Sequence, residues 1–157
     1  MIKLFITFAL CLTAWLSYSQ DTIMIASEQR AIITVDINGN KEFMLVDTGS
    51  TLNIIDSDEL RRLKLNKGFL IGDINSRYSN EALYSLKNCK TIIGNSIYMQ
   101  YGTSDISSAI NAIHEETGIK IAGILGTPAI KQLGMIIDLS RGIVTINKNS
   151  ETTVSTD

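Results

Sequence analysis

Four apolar residues, Phe43-Met44-Leu45-Val46, run straight into Asp47-Thr48-Gly49-Ser50-Thr51, and this junction limits the folds open to the chain more than any other segment. The apolar run reads as a core strand and the Thr-Gly pair as a tight turn, so a carboxylate is delivered to the mouth of a buried strand. Gly49 permits close backbone approach, and backbone N–H groups with the Ser50 hydroxyl are placed to hydrogen-bond the Asp47 carboxylate. A carboxylate held in this way is a candidate general base. An Asx-turn, in which Asp47 satisfies only its own backbone, explains the same residues, and the segment alone leaves both readings open.

The surroundings are rich in β signals. Residues 22–26 and 31–37 carry β-branched, apolar-rich patterns, and Asn38-Gly39 marks a hairpin before the Phe43 run. Further strands are expected at 53–55, 69–74, 82–86, 90–93 and 97–101, divided by Asn- and Gly-bearing turns. Asp56 or Ser57 is placed to cap a short helix through Leu63. Ser107 or Ser108 is placed to cap a second that Gly118 stops, and Pro128 to open a third through Leu133. Residues 119–125 read as a buried strand, and 135–137 and 143–146 as two strands joined by Leu139-Ser140-Arg141-Gly142. The expectation is one mostly β domain with two or three short helices, and the 45% hydrophobic content is enough for its single core.

Lys3 precedes an apolar stretch over residues 4–16, the length of a signal-peptide core and short of a bilayer span. Residues 1–20 are therefore read as an export signal, 21–147 as the folded domain and 148–157 as a polar, flexible tail. Export followed by cleavage implies a periplasmic or extracellular protein with no stable membrane anchor, and an uncleaved N-terminal anchor is the alternative. Loss of the signal removes Cys11 and leaves Cys89 as the single cysteine, which excludes an intrachain disulfide and leaves the fold to its hydrophobic core. Cys89 is expected buried and inert. With His114 the only histidine, neither a Cys/His nucleophile nor a zinc site is expected, and no metal or cofactor is called for. A net charge of −2, a pI near 5.4 and no basic run give no footprint for nucleic acid.

A second segment, Ile121-Ala122-Gly123-Ile124-Leu125-Gly126-Thr127-Pro128-Ala129-Ile130, sets an apolar-apolar-Gly triplet at the end of a buried strand before a short helix. With both segments in view the sequence resembles the retropepsin-like aspartic proteases, bacterial secreted type. These pair a strand ending in Asp-Thr-Gly-Ser/Ala with a later hydrophobic-hydrophobic-Gly and helix. The resemblance runs from about Ala31 to Ile146, and includes Leu133-Gly134-Met135-Ile136-Ile137-Asp138 as the strand that closes the family's domain and 107–118 as a helix insert. It implies a retropepsin-like acid-protease barrel of short strands, one lobe per chain.

The resemblance also implies a function: an aspartic endopeptidase that hydrolyses peptide bonds with a water molecule, without a covalent intermediate or metal. That chemistry needs two carboxylates, which at about 3 Å separation share one proton. Of the aspartates here only Asp47 is followed by Thr-Gly, so the second must come from another copy. A C2 homodimer acting on a polypeptide is thus the implied active species. By the same resemblance Thr48 would brace the paired loops, Thr48, Gly49 and Ser50 would shape the site, and Ile124, Leu125 and Gly126 would pack beneath it. A flap is expected around residues 72–81, with Asn75, Ser76, Arg77 and Tyr78 as candidates. Asp138 reads as a strand-end residue and His114, Glu115 and Glu116 as a polar helix face. A non-catalytic peptide-binding or envelope interaction module on the same fold is the alternative function.

Overall fold

The computed structural model describes residues 20–75 and 80–147. The expected export signal lies outside these except for Gln20, which is the first residue of strand β1, Gln20–Met24. The expected tail, 148–157, lies outside them entirely.

Strands β2, Ile32–Ile37, and β3, Asn40–Val46, form an antiparallel hairpin. Its turn places Asn38 at φ +50 and Gly39 at φ +84, the left-handed pair that matches the twist of the flanking strands. The Asp36 carboxylate accepts the Gly39 N–H at 2.7 Å. The far end of β3 is buried on both faces, which is why Met44-Leu45-Val46 reads as a continuous apolar run and not as an alternation. Met44 and Val46 enter the main core with Ile33, Val35 and Ile55, while Leu45 enters a second cluster with Ile32, Ile110, Ile113 and Ile121.

Strand β4, Ile54–Asp56, follows the Asp47 loop and leads into a 3-10 turn at Ser57–Glu59, where a longer helix was expected. Asp56 does not cap that turn: its carboxylate reaches across to accept the Ile106 N–H at 3.1 Å. Strands β5, Asn66–Asn75, and β6, Asn80–Lys87, make a long antiparallel hairpin with register shifts near Leu70. Strands β7, Thr91–Ile93, β8, Ser96–Tyr98, and β9, Gly102–Ser104, follow. The last was not expected from its sequence, since Thr103 and Ser104 are buried polar residues.

Helix α1, Ser107–Thr117, turns Ile110 and Ile113 onto the second cluster and ends at Gly118 in the left-handed conformation. Its N-cap position is Ile106, with no capping side chain of its own; the neighbouring Asp105 carboxylate accepts from the Ser107 N–H and hydroxyl instead. Strand β10 is only Gly123–Leu125, shorter than expected. Residues 119–121 instead pack Ile119 and Ile121 against the second cluster. Helix α2, Thr127–Gln132, and strands β11, Met135–Asp138, and β12, Ile143–Asn147, complete the fold.

The strands form a nine-stranded sheet, β5-β6-β9-β4-β10-β3-β2-β7-β8, and a three-stranded sheet, β1-β12-β11. The arrangement that matters for function is at the centre of the larger sheet. There β10 lies between β3, to which it is parallel, and β4, to which it is antiparallel, so the loop joining β3 to β4 arches over the end of β10.

Burial of Asp56 pushes its carboxyl above the ordinary 3.8, opposed by the Ile106 N–H and reinforced by the nearby charges of Asp58, Asp105 and Glu59. A carboxyl more basic in the folded than in the unfolded chain costs stability as pH rises from 3.8 through its folded value. Asp56→Asn, which keeps an oxygen for the Ile106 N–H, should be more stable than the native chain at pH 7 and match it near pH 3. Urea midpoints at the two pH values check this, and equal midpoints at pH 7 would contradict it.

Candidate active site

Val46 ends β3, and the chain leaves the sheet at Asp47 as a half-buried residue, followed by exposed Thr48 and Gly49 and half-buried Ser50. The Asp47 N–H donates to the Leu125 carbonyl at 2.9 Å, continuing the β3–β10 pairing by one residue. The Asp47 carboxylate folds back so that Oδ1 accepts the Gly49 N–H at 2.8 Å, and the Ser50 N–H donates to the Asp47 carbonyl at 3.2 Å. The Ser50 hydroxyl does not reach the carboxylate; it donates to the Leu52 carbonyl at 2.8 Å and accepts the Leu52 N–H at 3.3 Å. Ser50 thus stiffens the returning half of the loop, because its short side chain bonds most readily two residues along its own backbone.

Beneath the loop the three residues of the second segment have different positions. Gly126 is buried directly under it, where a Cβ would stand 2.3 Å from the Leu52 carbonyl oxygen and 2.6 Å from that of Ser50. Leu125 offers its carbonyl to Asp47 and buries its side chain in the main core. Ile124 is half-buried and turned the other way, against the second cluster under α1.

Helix α2 starts at this point with no capping side chain of its own. The Asp47 loop takes its unpaired donors: the Thr127 N–H donates to the Ser50 carbonyl at 2.8 Å, and the Ala129 N–H to Asn53 Oδ1 at 3.4 Å. Pro128, between them, has no N–H to satisfy. Asn53 was not singled out from the sequence. The signal available was a polar residue immediately before the apolar pair Ile54-Ile55, which turns out to be buried.

Two clefts flank the loop. One of about 470 Å³ is lined by Asp47 and Thr48 with Ala31, Leu45, Val46 and Ile137, and has Arg30 at its rim. Arg30 is held by a bidentate ion pair to Glu116 of α1 at 2.7 Å. The other, about 280 Å³, lies between the β5–β6 hairpin and the loop and is lined by Leu52, Asn53, Ile71, Leu83 and Pro128. Of the flap candidates, Ser76, Arg77 and Tyr78 lie outside the described residues. Asn75 ends β5 and pairs in register with Asn80.

Of the other residues weighed from the sequence, Asp138 lies between Ile137 and Leu139, which both line the first cleft. The Asp138 carboxylate binds the Ser140 hydroxyl, the Arg141 N–H and the Arg141 guanidinium, which hold it down to about 2. His114 is on the exposed face of α1. Cys89 is buried, and burial pushes its thiol up to about 11, which keeps it protonated. Among the described residues no group of three or more His, Cys, Asp or Glu is placed to hold a metal ion.

Strand β3 thus delivers Asp47-Thr48-Gly49 over Gly126, the residue after β10, in a mostly β lobe. Solved structures are similar to it in overall fold. The EIAV protease, complexed with an inhibitor, matches with a TM-score of 0.52 at 20% identity over 69% of this chain and 92% of that one. A retropepsin-like aspartic protease from Rickettsia conorii matches at 0.54 and 16% identity over 82% and 90% of the two chains. The retroviral protease-like domain of Ddi1 from Leishmania major matches at 0.53 and 13% over 80% and 90%. Neither a protein-family model nor a curated protein sequence matches the chain. The chain has the retropepsin-like fold.

Because both atoms nearest the missing Gly126 side chain belong to backbone, Gly126→Ala has no flexible neighbour to displace. It should destabilise the chain by about 1–3 kcal/mol or more. Gly72→Ala, whose Cβ would meet nothing within 4 Å, serves as the control and should be close to neutral. Equal urea midpoints for the two variants would rule out the close approach.

Proposed function

We propose that this protein is an exported aspartic endopeptidase, active as a homodimer in which each chain contributes Asp47. The observation that carries the reading is the Asp47 turn itself. A half-buried carboxylate, one oxygen tied to the Gly49 N–H, stands at the edge of an apolar cleft on a fold shared with proteases. Exposed Thr48 and Gly49 beside it support the dimer, since they leave the tip of the loop open to a second copy.

With two copies of Asp47 facing across a two-fold axis, one carboxylate is ionised and the other protonated. The ionised one removes a proton from water as it attacks the peptide carbonyl, and the protonated one donates to the carbonyl oxygen. Proton return to the leaving nitrogen completes cleavage. No group becomes covalently attached. Ala31, Leu45, Val46 and Ile137 give the cleft an apolar lining, which suits a hydrophobic substrate side chain. The β5–β6 hairpin stands over the second cleft, in position to cover an extended peptide and supply backbone hydrogen bonds. The leader-like first twenty residues support a periplasmic or extracellular site of action.

Protein purified from expression of the full chain, incubated with an unfolded protein and a peptide library from pH 3 to 8, should cleave both. Asp47→Asn should abolish cleavage while leaving the urea midpoint nearly unchanged, with products read by mass spectrometry. Activity should survive EDTA and fall more steeply than linearly on dilution, as a shared site requires. A folded, dimeric wild type that cuts nothing yet binds peptides would replace this reading with the non-catalytic peptide-binding module.

A further inference from the structure

Asn53 lies six residues beyond Asp47, at the foot of the returning arm of the loop, and is buried. Its amide is used in both senses. Oδ1 accepts the Gly126 N–H at 2.9 Å and the Ala129 N–H at 3.4 Å, while Nδ2 donates to the Gln100 carbonyl at 3.2 Å and to the Tyr98 hydroxyl. Its backbone carbonyl accepts the Gly102 N–H at 2.9 Å. A primary amide has two N–H donors and two acceptor lone pairs, so this side chain is saturated. An ionised carboxylate would lose both donations, and an apolar residue all four bonds.

The segment that Asn53 grips is the support of the catalytic loop. Gly126 sits under the Ser50 and Leu52 carbonyls, the Leu125 carbonyl holds the Asp47 N–H, and the Thr127 N–H holds the Ser50 carbonyl. Fixing Gly126 relative to the base of β4 therefore fixes the height of the arch that carries Asp47. We propose that Asn53 is the positioning residue of the Asp47 carboxylate, acting through Gly126 and anchored from behind by Tyr98 and Gln100. Its effect on catalysis rests on the aspartic endopeptidase reading, whereas its effect on the loop does not.

The test uses the full-chain protein and two variants, Asn53→Asp and Tyr98→Phe, with amide hydrogen exchange and peptide-cleavage kinetics followed against pH. Asn53→Asp keeps an acceptor for Gly126 but loses both donors when ionised, and regains one on protonation. Its kcat should fall about tenfold or more at pH 7 with KM within about twofold, and recover as pH is lowered. In parallel the Gly49 and Thr127 amides should exchange about tenfold faster at pH 7, with the β1–β12 amides unchanged. Tyr98→Phe, which removes one of the four partners, should move the same amides in the same direction by a few-fold.

A folded Asn53→Asp with wild-type exchange at Gly49 and a wild-type kcat profile would overturn the proposal. If that variant does not fold, unchanged Gly49 exchange in Tyr98→Phe would overturn it equally. Faster exchange in a series where even the wild type cuts no peptide would uphold the positioning role and remove the protease reading.

Discussion

Helix α2 begins without a side chain of its own to satisfy its first N–H groups, and the loop that carries Asp47 satisfies them. Thr127 bonds to the Ser50 carbonyl and Ala129 to Asn53, with Pro128 between them requiring nothing. Unpaired donors at a buried helix end carry a large desolvation cost, so helix and loop can only be stable together. Gly126 makes the contact possible because two carbonyl oxygens occupy the space of its absent side chain. The β3–β10–β4 order brings loop and helix together.

The same contact explains how a carboxylate stays oriented at a half-buried surface. Asp47 is gripped at its N–H by the Leu125 carbonyl at the end of β10 and at Oδ1 by the Gly49 N–H of its own turn. Among the described residues, the hydrogen bonds that hold its N–H and carboxylate come from backbone groups alone. Arg30, which lines the same cleft, is engaged by Glu116 on α1. The helix insert thus does two things: it covers the outer face of β2 and β3, and it holds the cationic rim of the cleft.

What could be read from the sequence was what is decided locally. The Asn38-Gly39 hairpin, the stop of α1 at Gly118 and the strand leading into Asp47 depend on neighbouring residues, and all stand where their patterns put them. The fold class was legible because two such local signals, Asp47-Thr48-Gly49 and Leu125-Gly126, occur together. Strand β9 was not, since Thr103 and Ser104 are polar and become buried only through pairing with β4 and β6. Nor was Asn53, whose partners at Tyr98, Gly126 and Ala129 are brought to it by the tertiary fold alone. The expectation that Ser50 would bond the carboxylate failed for the opposite reason: a nearer acceptor, the Leu52 carbonyl, was available within the turn.

The parallel pairing of residues 44–46 with 123–125 also sets an order of events in time. A parallel contact cannot be closed by a tight turn, and here it encloses most of the domain, so it forms only after a long stretch of chain has been synthesised and collapsed. Until Gly123 to Thr127 arrive, the Asp47 turn has neither floor nor orientation. A partly made chain therefore carries the Asp47 carboxylate before it has the β10 segment that holds the turn from below.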